Sequence, residues 1–86
     1  KVASWPYQGA IAIHEGDDLH LFDHWCYLGT AANEAEVEEL LSDGRPEFDL
    51  DIYKIIRKTL KKTKDLGLRV TALEFPQNRH EAVEFP

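Results

Sequence analysis

The stretch HLFDHWCYLGT, residues 20–30, crowds His20, Asp23, His24 and the only cysteine of the chain, Cys26, among large apolar side chains. Imidazole, carboxylate and thiol groups are the donors of a zinc site, and a Cys–His pair is the kernel of a nucleophilic one. Spacing argues against both. Zinc needs three or four ligands converging at about 2.0–2.3 Å. Read as a strand, residues i and i+4 lie roughly 13 Å apart, so His20 and His24 cannot share an ion. Only His14, placed across a hairpin from His20, would join it, and two ligands do not make a site. Cys26 and His24, roughly 7 Å apart on one face, are too far apart for proton transfer. Asp49 and Asp51, with Glu47 nearby, are the types that hold Mg²⁺, but an N-cap and a first-turn acid explain them without an ion. No catalytic residue and no metal site are assigned, and no cofactor is expected.

The stronger chemistry is basic. Lys54, Arg57, Lys58, Lys61 and Lys62 recur at i, i+3, i+4, i+7 and i+8, one face of a helix. Such a row matches phosphates along a nucleic-acid backbone, each contact releasing counterions. The plainer reading is a solvated face that also suits a helix C-terminal dipole. Between Lys54 and Arg69 seven basic side chains stand against Asp65 alone, a local +6, whereas the other residues carry three basic and fifteen acidic groups. The net charge of −6 is therefore strongly polarised. Glu34, Glu36, Glu38 and Glu39 form an acidic counterpart, read chiefly as dipole stabilisation and solubility, or else as a docking face for a basic partner.

Eighty-six residues make one small domain with a modest core. A composition 43% hydrophobic and 30% charged belongs to a folded rather than a disordered chain. One cysteine excludes an internal disulfide and is compatible with a cytoplasmic setting. With no methionine and Lys1 at its start, the chain reads as a piece of a longer protein.

Residues 5–15 and 19–31, rich in aromatic and β-branched side chains, predict a hairpin around Gly16-Asp17-Asp18 with Glu15 opposite Leu19. That register pairs Gly9 with Trp25 and His14 with His20; a β-bulge near Asp23 would relieve a local conflict. Trp5, Tyr7, Trp25 and Tyr27 then share one face, where core packing outweighs base stacking. Asn33, with Glu36 three residues on, predicts a helix over 33–44 with Val37, Leu40 and Leu41 inward. Asp49 caps a second helix, about Leu50 to Thr63, whose buried side is Ile52, Ile56 and Leu60. Gly67 ends it before a third strand over roughly 68–75, able to pair with either hairpin edge. The expected fold is α+β, order ββααβ: a small antiparallel sheet with both helices on one face, compact over 1–75, followed by a polar, flexible tail at 76–86.

Trp5-Pro6-Tyr7-Gln8-Gly9-Ala10, then Trp25 and Tyr27-Leu28-Gly29, then Phe48-Asp49, Asp51 and Tyr53-Lys54-Ile55 form a recognisable series. It resembles the C-terminal region of Cho-type, UvrC-homologue GIY-YIG excinucleases. It is also similar to that region of bacterial proteins joining a DNA polymerase III epsilon-like exonuclease to a GIY-YIG domain. The resemblance implies a parent that cuts DNA in repair, with its catalytic groups in domains whose motifs are absent here. The expected role is a non-catalytic accessory domain contacting DNA through Lys54, Arg57, Lys58, Lys61 and Lys62. The alternative is a docking module for a UvrB-like protein or for the parent's own nuclease domains.

Overall fold

The computed structural model describes residues 1–73. Strands β1 (Ile11–Glu15), β2 (Asp18–Asp23) and β3 (Cys26–Ala31) are followed by helices α1 (Glu34–Asp43) and α2 (Leu50–Leu66) and by a short strand β4 (Val70–Ala72). The four strands form one antiparallel sheet in the order β3-β2-β1-β4. The α+β class and antiparallel sheet are as the sequence predicts, with one more strand than expected and the last strand paired to β1.

The additional strand arises at His24-Trp25. The apolar run over 19–31 reads as continuous, yet both residues have positive φ, 47° and 67°, and fold it into a second two-residue hairpin between Asp23 and Cys26. Such turns normally carry Asn or Gly, because a Cβ is strained in the left-handed region. Here tertiary packing holds the geometry. The Trp25 ring is buried, its centroid 5.1 Å from Trp5 and 4.9 Å from Tyr53, and its Nε1 donates to the Ala3 carbonyl at 2.8 Å. The bulge expected near Asp23 lies in β3: Leu21 pairs with Gly29 and Phe22 with Tyr27, leaving Leu28 unpaired.

The first hairpin is also tighter than expected. Glu15 pairs with Asp18, so only Gly16 and Asp17 form the loop, with Gly16 at φ 58°. Glycine at the first central position is the signature of a type II′ turn, whose twist matches that of the strands. The register is therefore one residue away from Glu15–Leu19, which exchanges the faces of every partner. Gly9 and Trp25 do not pair, and residues 5–9 lie outside β1, with Trp5 Nε1 bonded to the Gly9 carbonyl at 2.8 Å.

The new register gives both faces of the sheet an apolar layer. Ala10, Ala12, Leu21 and Ala31 pack against Val37 and Leu41 of α1. Ile11, Ile13, Phe22 and Trp25 pack against Tyr53 and Ile56 of α2. The helices thus lie on opposite faces of the sheet, not together on one, because alternate strand residues are apolar on both sides. The acidic helix and the basic helix are held apart by the sheet, and among the described residues no ion pair joins them.

Local caps set the helix limits. The Asn33 side chain accepts from Glu36 N at 2.9 Å, and the Glu36 carboxylate reaches back to Ala32 N at 2.7 Å. Asp49 accepts from Ile52 N at 3.0 Å. Replacing Asp49 by alanine is expected to lower stability by about 1 kcal/mol, read from the urea midpoint at unchanged m-value. Helix α2 runs past Thr63 to Leu66 and closes when Gly67 N donates to Lys64 O and Leu68 N to Thr63 O. Strand β4 is shorter than the predicted 68–75; the end of that range and the tail at 76–86 fall outside the described residues. Among the described residues, no helix is long and apolar enough to cross a membrane.

Candidate nucleic-acid interface

Helix α2 turns Tyr53, Ile56 and Thr63 into the core, with Leu60 beside them. The opposite side follows from the 3.6-residue period. Lys54, Arg57, Lys58, Lys61 and Lys62 are all exposed. Four of them, Lys54, Arg57, Lys58 and Lys61, line one open depression of about 680 Å³ with Lys1, Leu50 and Tyr53. Lys62, about 80° round the helix from Lys54, is not part of that lining. Arg57 Nη1 donates to the Tyr53 hydroxyl at 3.2 Å, and the same oxygen accepts from Ala3 N at 2.8 Å. The buried tyrosine thereby anchors the guanidinium and ties the N-terminal segment, with Lys1, to the basic helix. Among the described residues none of the five cations forms an ion pair, so their charge faces solvent.

The reactive-looking stretch disperses. His14 and His20, expected across from each other, lie on opposite faces, because His14 pairs with Leu19 and His20 with Ile13. His20 bridges Glu15 Oε1 and Thr30 Oγ1, each at 2.9 Å, and Tyr27 OH meets the same Thr30 oxygen at 2.6 Å. His14 Nε2 bonds Thr71 Oγ1 at 2.9 Å. His24, in the turn, lies 2.6 Å from Asp23 Oδ1. Cys26 is buried with its thiol directed to the Pro46 carbonyl at 3.5 Å. Each histidine is accounted for by cross-strand or turn bonding, and the thiol by a loop carbonyl. Among the described residues no three His, Cys, Asp or Glu side chains are placed to hold one metal ion. Asp49 is engaged as the α2 cap.

Two features escape the sequence reading. Ile52, assigned to the buried side, is 40% exposed, and Leu50, Ile55 and Leu66 are more exposed still. The signal was present in the count: α2 carries Leu50, Ile52, Tyr53, Ile55, Ile56, Leu60 and Leu66, more apolar residues than one stripe can bury. The four-ring core is also divided. Trp25 is buried, whereas Tyr7, ahead of β1, and Tyr27, on the edge strand β3, stay exposed.

A small antiparallel sheet with a helix on each face, one helix acidic and the other presenting a basic row that forms no ion pair among the described residues, defines a small α+β domain. Residues 10–77 match the family model of the excinuclease Cho C-terminal domain, and the chain belongs to that family. It is 38% identical over 64 residues to the excinuclease Cho of Shigella flexneri and to that of Escherichia coli strain K12, and 34% identical to that of Salmonella typhi. These alignments cover 70% of this chain but only 21–22% of the relatives, so the chain spans about a fifth of their length. No solved structure matches it. The resemblance thus narrows to the Cho type, and nothing in these matches speaks for the exonuclease fusion.

Proposed function

We propose that this chain is a non-catalytic accessory domain of a DNA-cutting excinuclease and that it positions the parent enzyme by gripping DNA backbone with α2. The observation that carries the reading is the grouping of Lys54, Arg57, Lys58 and Lys61, without carboxylate partners among the described residues, around one open depression. Lys1 extends the depression's charge, and Lys62 adds to the field from the flank. Four phosphate contacts would give a slope of log affinity against log salt of about −3.6. The test is fluorescence anisotropy with a short labelled duplex at low and moderate salt. The wild type is expected to bind with that dependence, and a Lys54→Glu, Lys58→Glu, Lys61→Glu variant to lose salt-sensitive binding. Absence of salt-sensitive binding by the wild type, or equal binding by the variant, ends the DNA reading.

A second reading, docking onto a UvrB-like protein or onto the parent's nuclease domains, is favoured by a separate observation. Leu50, Ile52, Ile55 and Leu66 leave large apolar side chains exposed on a helix that has no further layer over it among the described residues. Ile52, Ile55 and Leu66 fall on one side of α2, and exposed apolar side chains gathered on one side favour an interaction role.

A further inference from the structure

The depression that gathers the cations of α2 is not wholly ionic. Leu50 and the Tyr53 ring share its lining with Lys54, Arg57, Lys58 and Lys61. Leu50 heads the stripe on which Lys54, Arg57 and Lys61 follow at i+4, i+7 and i+11. It is 52% exposed, and Phe48, two residues earlier, is 50% exposed. The Phe48 ring stands 6.0 Å from that of Tyr53, centroid to centroid, at an interplanar angle of 43°. Tyr53 thus props the phenylalanine without stacking face to face on it, and the exposed side of the ring is open to a planar partner. Tyr53 is itself held from two directions, since its hydroxyl accepts from Arg57 Nη1 and from Ala3 N. The apolar end of the depression therefore rests on a fixed part of the fold. Glu47, Asp49 and Asp51, all exposed, flank Phe48 and Leu50 in the chain, so negative charge borders this end and positive charge the remainder.

We propose that the depression takes single-stranded DNA, with an unpaired base against Phe48 and Leu50 and the phosphates of the same strand along Lys54, Lys58 and Lys61. The inference rests on the DNA reading above and names the form of DNA that the site prefers. A duplex presents phosphates and sugars to such a surface, because the faces of its bases are stacked on one another. Phe48 and Leu50 would then contribute nothing to the contact. An unpaired strand brings both chemistries in one nucleotide, a phosphate for a cation and a flat π-face for an aromatic ring, the combination by which single strands are held. The carboxylates sharpen the division. Glu47, Asp49 and Asp51 repel phosphates from the Phe48 end, so the backbone stays over the lysines and the base is what reaches the ring.

The probes are three labelled oligomers of equal length, titrated with the wild-type chain by fluorescence anisotropy: oligothymidylate, a duplex, and an abasic strand that keeps the phosphates and lacks the bases. Oligothymidylate is expected to bind at least about fivefold more tightly than either of the others. Four phosphate contacts on a single strand give a slope of log affinity against log salt of about −2.8, shallower than on a duplex. Phe48→Ala should weaken oligothymidylate at least about fivefold, leave the abasic strand unchanged and keep the salt slope, because no charge is removed. Phe48→Trp should bind oligothymidylate at least as tightly as the wild type. Phe48 is half exposed, so the circular dichroism of both variants should match the wild type. Equal binding of oligothymidylate and the abasic strand, or undiminished binding by Phe48→Ala, overturns the proposal; the abasic comparison needs no variant. Salt-sensitive binding of the duplex at least as tight as that of oligothymidylate removes the unpaired base and keeps the DNA reading. Absence of salt-sensitive binding to all three ends both. Binding of a polyglutamate peptide as tight as that of oligothymidylate overturns the proposal in favour of an acidic protein.

Discussion

Trp25→Ala is expected to be the most damaging single substitution, at about 3–5 kcal/mol by truncation of a buried aromatic. A domain of this length is stable by only about 4–13 kcal/mol, so the variant should be near its unfolding midpoint in mild urea. Trp25 joins three parts of the molecule: the N-terminal segment through Ala3 O, the Trp5 ring, and Tyr53 of α2. The informative comparison is with Trp25→Gly. At φ 67° alanine pays for its Cβ and glycine does not. The glycine variant is therefore expected to exceed the alanine variant in stability by about 0.5–1 kcal/mol, the reverse of the order in an ordinary strand. Urea titrations followed by far-ultraviolet circular dichroism measure both; alanine above glycine would mean that the left-handed turn is not a constraint.

Gly29→Ala is expected to cost about 2–4 kcal/mol, from two sources. A φ of 135° is a backbone region nearly restricted to glycine, worth about 1–3 kcal/mol. A Cβ there would also lie 2.8 Å from Leu40 Cδ2 and 3.1 Å from Cδ1, forcing α1 or the leucine rotamer to move at about 1–3 kcal/mol. Leu40 is half-buried, so the leucine absorbs part of the overlap and the sum stays below the two maxima. Adding Leu40→Ala should recover part of the loss by removing the overlap while the backbone strain remains. Full recovery would assign the whole cost to the clash, and no recovery would assign it to φ alone.

These two sites also show which features the sequence could disclose. The helices were legible because their signals are local: Asn33 and Asp49 act within three residues, and Gly67 ends α2 by bonds to the turn before it. The His24-Trp25 turn was not, since neither residue is a turn former and the geometry is held by Ala3, Trp5 and Tyr53, distant in sequence. The first hairpin shows how little separates two readings. Glycine with one aspartate instead of two makes the loop, and that single residue sends His14 and His20 to opposite faces and gives each helix its own side of the sheet. The basic row needed only the helical period and was legible. That Lys62 leaves the depression, that Lys1 joins it, and that Ile52 is half outside depend on how α2 rests on the sheet.

The sheet between the two helices has a consequence for how the molecule arrives at a polyanion. With exposed Glu34, Glu36, Glu39 and Asp43 on one broad side and the lysines of α2 on the other, the domain is an electrical dipole set across its thickness. In the field of a phosphate backbone such a slab experiences a torque before it touches anything, within a Debye length of about 8–10 Å. The acidic side is pushed outward and the basic side is pulled in. If α2 meets DNA as proposed, the domain would be turned into one preferred attitude by long-range force before any fitted contact is made.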